Sequence, residues 1–272
     1  MIKKIEIILI LIFLISAGGF IYKNAKKPGY EDILSFKTEA SVTPTPLRLP
    51  NGIITEKEYA GKQYLILTVR IPENSLISLI PNFSEKISGE ELIKTNDCEM
   101  GINGGFYLAE EKPLGLFIYS GKLLGNQVKS NIANAFVWSE ANNRINFGRN
   151  IPETSHELNF IFQTGPLIIP GNYKLKLIRD DYARRSLLAR DLPGNIYLLS
   201  ITDKKSLVSG PKLADIPVIF QELTEEKKLT FEEMVNLDGG SASFFYSRDI
   251  WGELTFSSWS ATGSILCIKG VN

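Results

Sequence analysis

The sequence predicts an α+β fold: a single mixed domain dominated by antiparallel strands with a few helices, preceded by an N-terminal membrane anchor or signal segment. Three observations predict it. From residue 53 onward, short apolar runs rich in β-branched and aromatic residues recur at close spacing between Gly, Asn, Asp and Pro turn signals, as antiparallel sheets require. Only one segment, Leu213 to Leu223, carries a well-defined helical stripe, and an apolar run flanked by lysines occupies the N-terminus. No internal repeat and no second domain boundary interrupts residues 52–272.

Taken in order, Lys3 and Lys4 precede an apolar run from Ile7 to Tyr22, which Lys23, Lys26 and Lys27 close. The run is long for the core of a signal peptide and short of the roughly 20 residues of a spanning helix, so residues 1–25 read as a signal anchor or a signal peptide. Lysines ahead of the run place everything downstream outside the membrane. Ser16-Ala17-Gly18-Gly19 supplies small residues without an A-x-A cleavage site, which favours retention, with secretion as the alternative. Residues 26–51, with Thr43-Pro44-Thr45-Pro46 and Leu49-Pro50, read as an extended linker.

Ile53 to Ala60, Tyr64 to Ile71 and Ser75 to Ile80 follow as three strands. Asn82 to Ile93 has helical character, with Ser88-Gly89-Glu90-Glu91 as a second start signal. A strand from Cys98 runs into Asn103-Gly104-Gly105-Phe106-Tyr107. Segments at Leu116 to Tyr119, Lys122 to Leu124, Ala133 to Ser139, Arg144 to Phe147 and Leu158 to Phe162 predict an antiparallel meander, ending in Gln163-Thr164-Gly165-Pro166. A strand near Ala183 to Arg190 places Arg185, Leu187 and Ala189 on one face and Arg184, Ser186, Leu188 and Arg190 on the other. Ile196 to Thr202 is another strand, the helix from Leu213 must accommodate Pro217, and Gly263 to Ile268 closes the sheet.

Composition narrows the function. Lys and Arg balance Asp and Glu at 30 each; the first 27 residues hold +4 and the remainder −4, a balance that gives no reason to expect nucleic acid as partner. Two cysteines, Cys98 and Cys267, both on predicted core strands, suit an exported protein with one disulfide or two buried thiols and are too few for a cysteine metal site. The one histidine, His156, sits in the polar stretch Pro152 to Glu157 and reads as a surface residue, which leaves serine–histidine and multi-histidine zinc chemistry without their parts.

The stretch Asn236-Leu237-Asp238-Gly239-Gly240-Ser241 places a carboxylate, two glycines and a hydroxyl where a buried strand ends, and Asn103-Gly104-Gly105 repeats the design with an amide. Either is compatible with an ordinary turn; two of the same design point to two loops lining one pocket. Glycine amides suit phosphate or sugar oxygens, the neutral amides Asn103 and Gln163 suit sugar hydroxyls, and an inward arginine needs an anion.

These motifs resemble, in order and spacing, the phosphodiester glycosidase domain family. The family's strand into Asn-Gly-Gly-Phe is similar to Ile102 to Phe106, its Pro-x-Gly-Leu to Pro113 to Leu116, its Gln-x-Gly-Pro to Gln163 to Pro166, its Arg-Arg-Thr to Arg184-Arg185-Ser186, and its Asn-Leu-Asp-Gly-Gly to Asn236 to Gly240. Ser186 for Thr, Ala189-Arg190 for a Gly-apolar pair, and Pro217 are departures. The resemblance implies an exported hydrolase cleaving a sugar 1-phosphodiester of the N-acetylglucosamine type in envelope or extracellular glycans, without cofactor or metal. It implies Asp238, Arg185 and Asn103 as catalytic residues and Gly104, Gly105, Gln163, Arg184, Gly239, Gly240 and Ser241 as substrate-binding residues. A second carboxylate stays open among Asp191, Asp215 and Glu222. The alternatives are a non-catalytic binder of phosphorylated polysaccharide in exopolysaccharide or cell-wall metabolism, and a metal-dependent phosphodiesterase built on Asp238 with Asp191 or Asp215.

Overall fold

The computed structural model of the chain describes residues 49–270, apart from 109, 154–157, 173, 174 and 176; the N-terminal apolar run, most of the linker and His156 lie outside the described residues. The strands, in chain order, are β1 (Gly52–Tyr59), β2 (Lys62–Arg70), β3 (Leu76–Pro81), β4 (Met100–Asn103), β5 (Tyr107–Leu108), β6 (Lys112–Pro113), β7 (Phe117–Tyr119), β8 (Lys122–Gly125) and β9 (Ala135–Glu140). They continue as β10 (Ile145–Gly148), β11 (Leu158–Thr164), β12 (Leu167–Ile168), β13 (Arg185–Arg190), β14 (Ile196–Asp203), β15 (Glu233–Asn236), β16 (Phe245–Asp249), β17 (Gly252–Phe256) and β18 (Ser264–Lys269). The helices are α1 (Gly89–Thr95) and α2 (Ile216–Glu225). With 43% strand and 11% helix, this is the expected mixed domain dominated by antiparallel strands.

Three sheets form around one core, with strand orders β1-β2-β14-β13-β15-β12, β10-β9-β11-β7-β8 and β17-β16-β4-β18-β3. Every pairing is antiparallel. Leu67, Leu79, Ile102, Val137, Phe160, Phe162, Leu188, Val235, Phe245 and Leu266 meet in the centre and draw on all three sheets. The outer face of the first sheet, through Ile66, Leu187, Leu199 and Met234, packs against Ile216, Ile219, Phe220 and Leu223 of α2. The face alternation read for Arg184 to Arg190 is therefore the one formed: Leu187 and Ala189 face α2, and Leu188 faces the centre.

Two expectations are corrected. The second sheet is not a sequential meander, because β11 inserts between β9 and β7; its residues from Phe160 to Thr164 are buried throughout, which suits a central strand better than an edge. The helix expected from Asn82 to Ile93 is confined to α1. Ser88 caps it by accepting from Glu91 N at 3.1 Å, while Asn82 ties up residues 82–87 by accepting from Ile87 N (3.1 Å) and donating to Ile87 O and Thr262 O (both 2.9 Å). In contrast, Pro217 lies in the first turn of α2, where its missing N–H leaves no intrahelical bond unmade. Cys98 and Cys267 form a disulfide with Cα atoms 5.4 Å apart, under α1 and beside Phe244 and Tyr246. No helix among the described residues is long and apolar enough to cross a membrane.

Candidate active site

The four polar strand ends singled out in the sequence meet at one junction to which all three sheets contribute. Asp238 N donates to Gly104 O at 3.0 Å, and Asn103 Nδ2 donates to Asp238 O at 2.7 Å, so the two Gly-Gly loops are tied to each other. Gly240 N donates to Arg184 O (2.9 Å) and Leu237 N to Ser186 O (2.9 Å), which binds the arginine strand to the same loop. Gly165 N reaches Asn236 O at 3.0 Å, and Asn236 Nδ2 returns to Gly165 O at 2.9 Å. Two glycines are demanded locally: a Cβ on Gly104 would stand 2.2 Å from Ser264 Oγ, and Gly240 has φ +64°.

Asp238 is partly exposed but deeply surrounded. Burial pushes its carboxyl up to about 7, against which the only opposing influence is the Gly239 N–H, 2.9 Å from Oδ1. No cation among the described residues offsets the burial, so Asp238 exchanges a proton near neutrality, as a general acid or base must. Its second oxygen, Oδ2, has no hydrogen-bond partner among the described residues.

The two arginines are held differently. Arg185 pairs with Asp180 at 3.2 Å and donates to Pro211 O (2.9 Å) and Asp181 O (2.6 Å); burial lowers its pKa, with Asp180 opposing. Its Nη1 has no such partner and lies 3.8 Å from where a Cβ on Gly239 would stand. Arg184 is 1% exposed, donates from Nη2 to Ser243 O, and leaves Nε without a partner. No carboxylate among the described residues forms an ion pair with it, and burial brings its pKa down to about 10, opposed by the field of Glu90. Arg184, implied by the resemblance as a substrate-binding residue, is a buried positive charge behind the loop.

Other groups named from the sequence already have partners within the folded chain. The Asn103 side chain is buried; its Nδ2 donates to Asp238 O and Gly104 O, and its Oδ1 accepts from Phe244 N at 3.0 Å. Gln163 fills all four positions of its amide, accepting from Leu116 N and Val128 N and donating to Val128 O and Ala133 O. Both amides lock loops; Gln163 has no position left, and Asn103 keeps one lone pair on an Oδ1 that is itself buried. Among the glycine amides, Gly104 N goes to Ser264 O at 2.8 Å, Gly239 N to Asp238 Oδ1 and Gly240 N to Arg184 O, so only Gly105 N is uncommitted among the described residues. Ser241 is exposed; its Oγ accepts from Ser260 Oγ at 3.0 Å and keeps its own O–H to donate.

The sequence pattern of the phosphodiester glycosidase family matches residues 96–264, well over half of the chain and every motif of the junction. The chain belongs to the phosphodiester glycosidase family. It is accordingly a hydrolase. Among solved structures, it is similar to the zebrafish N-acetylglucosamine-1-phosphodiester alpha-N-acetylglucosaminidase catalytic domain auto-inhibited by its pro-peptide, at TM-score 0.56 and 17% identity, covering 88% of this chain and 89% of that one. That likeness supports the fold. A Burkholderia pseudomallei K96243 protein aligns at TM-score 0.28 and 13% identity over 90% of this chain and 65% of that one. No curated protein sequence matches.

Of the candidates for a second carboxylate in this phosphodiester glycosidase, Asp191 and Glu222 are already paired and Asp215 alone lies beside Arg185. Asp191 follows the far end of β13 and accepts from Asn195 and from Tyr197 Oη at 2.8 Å; Glu222 pairs with Lys57 at 2.7 Å. Asp215 is raised by burial and then by Asp180, and so belongs to the Arg185 side of the site. Asp180, which the sequence reading passed over, accepts from Leu213 N (2.8 Å) and Ala214 N (2.9 Å) as well as pairing with Arg185; its place four residues ahead of the two arginines was the available signal. Among the described residues, no three His, Cys, Asp or Glu side chains gather in a metal-binding group.

Proposed function

We propose that the chain hydrolyses a sugar 1-phosphodiester of the N-acetylglucosamine type, with Asp238 as general base. The observation that carries the reading is the Asp238 carboxyl, lifted to about 7 at the junction of the two Gly-Gly loops with Arg185 Nη1 beside Gly239. A phosphomonoester leaves without needing a proton, whereas the attacking water must lose one. Asp238 in its carboxylate form takes that proton as the water oxygen bonds to the anomeric carbon and the carbon–oxygen bond to phosphorus breaks; free sugar and a phosphomonoester result. Because burial raises its pKa, Asp238 is a stronger base than an exposed aspartate.

Arg185 Nη1 is the group placed to face the singly charged diester, while the Asp180 pair holds the guanidinium still. Arg184 adds an unneutralised positive charge behind the loop. Asn103 acts through Asp238, by fixing its backbone. Export of the domain is supported by the Cys98–Cys267 disulfide, which belongs to an oxidising compartment, and by the lysine-flanked run of residues 7–22; on that reading the substrate is an envelope or extracellular glycan, and the N-terminal segment holds the chain to the membrane. The test is incubation of the protein with UDP-GlcNAc and a panel of sugar 1-phosphodiesters, with and without chelator, in ¹⁸O-labelled water. Free sugar carrying the label is expected. Saturable binding without release, or label in the phosphate, would overturn the proposal.

A further inference from the structure

The segment after β17 is laid across both Gly-Gly loops. Trp259 N and Ser260 N donate to Ser241 O at 2.7 and 3.1 Å, and Ser260 Oγ donates to Ser241 Oγ at 3.0 Å, immediately beyond Gly239-Gly240. Two residues on, Ala261 O accepts from Tyr107 Oη at 2.6 Å, just beyond Gly104-Gly105-Phe106. Thr262 and Gly263 are then buried and lead into Ser264, which lies against Gly104. The backbone of this segment is therefore fixed relative to Asp238 at both ends, yet Trp259 remains 47% exposed. An aromatic ring left half in water on a rigid, hydrogen-bonded wall is a flat apolar face with a polar edge. Such a face matches the C–H face of a pyranose ring, whose hydroxyls and acetamido group remain free for polar partners.

We propose that Trp259 is the sugar platform of this site, stacking on the hexopyranose whose anomeric carbon stands at Asp238. This rests on the sugar 1-phosphodiester reading and adds to it a residue that selects a pyranosyl ester over a simple alkyl or aryl phosphodiester. Ser241, whose O–H is free to donate and which is tied to Trp259 by one hydrogen bond and to Ser260 by two, lies on the same wall.

The experiment compares wild type with Trp259→Ala, Trp259→Phe and, as control, Trp251→Ala in the turn between β16 and β17. Affinity for N-acetylglucosamine 1-phosphate is read by calorimetry, and KM and kcat for methyl N-acetylglucosamine 1-phosphate are read in parallel. Loss of the platform is expected to weaken binding and raise KM roughly five- to tenfold, with kcat within about twofold, and Trp259→Phe is expected to recover most of the loss. Trp251→Ala should change neither. Unchanged affinity in Trp259→Ala, an equal defect in Trp259→Phe, or no binding of the sugar phosphate by wild type would each overturn the platform. A wild type that binds through Trp259 but releases no sugar would leave the platform standing and sink the hydrolytic reading alone. Thermal unfolding of each variant keeps a folding defect from passing for a binding defect.

Discussion

Replacing Asp238 by Asn should stabilise the folded protein at alkaline pH while abolishing activity. Burial lifts the carboxyl from an ordinary 3.8 to about 7, so the folded state holds its proton more tightly than the unfolded chain does. A group raised in this way contributes stability at acid pH that is lost as pH climbs from about 4 through about 7. A gap of about 3 pH units corresponds to about 4 kcal/mol as an upper bound. Asp238 keeps some solvent contact, and screening brings the expected gain to about 2 kcal/mol for the neutral amide at pH 8. Asn keeps the oxygen that accepts from Gly239 N and the shape of the side chain. For a domain of this size, the gain is a rise in Tm of about 4–8 °C at pH 8, shrinking towards zero near pH 4. Differential scanning calorimetry of both proteins at pH 4, 6 and 8 measures it. A variant less stable than wild type at pH 8, or a difference independent of pH, would refute the reasoning that burial without a partner sets the state of this carboxyl.

Three further predictions concern the scaffold. Gln163→Leu leaves Leu116 N, Val128 N, Val128 O and Ala133 O without their partner and should cost about 1–3 kcal/mol in urea unfolding; a folded fraction with unchanged KM separates a loop lock from a sugar ligand. Gly104→Ala drives a methyl to 2.2 Å from Ser264 Oγ and should cost about 1–3 kcal/mol, part of which Ser264→Ala in the double variant should restore; additive losses would place the strain elsewhere. Replacing Cys98 and Cys267 together by Ala releases a constraint across a separation of 169 residues, which the chain-entropy account values at about 5 kcal/mol, so Tm should fall by at least about 5 °C under non-reducing conditions.

Local features were the legible ones. Alternation and turn residues placed most of the longer strands but not the short β5, β6 and β12, and the parity of Arg184 to Arg190 gave the right faces because neighbouring side chains on a strand must point oppositely. The Gly-Gly turns and Asp238 stood out because a carboxylate at the end of a buried strand breaks the local apolar pattern. Non-local decisions were not legible. The insertion of β11 between β9 and β7 is settled by which strand fills the centre, and the late start of the helix expected from Asn82 by a contact from Asn82 to Thr262, 180 residues away. The same limit explains the amides. Asn103 and Gln163 stand in motifs beside the site, but only the folded chain shows that backbone groups on neighbouring loops already occupy them. An inward arginine needs an anion; Arg185 has one in Asp180, and Arg184 has no carboxylate paired with it among the described residues.

The proposed activity depends on Asp238 as the base of a sugar 1-phosphodiester hydrolase. The most direct measurement is kcat/KM for methyl N-acetylglucosamine 1-phosphate from pH 5 to 9, with Asp238→Asn run beside wild type. The carboxylate form increases with pH, so wild-type kcat/KM should rise about tenfold per unit up to about 7 and then level, and the variant should be flat and about 10²- to 10⁴-fold lower at pH 8. A variant that keeps the wild-type rate, or one that keeps the wild-type inflection near 7, would contradict it.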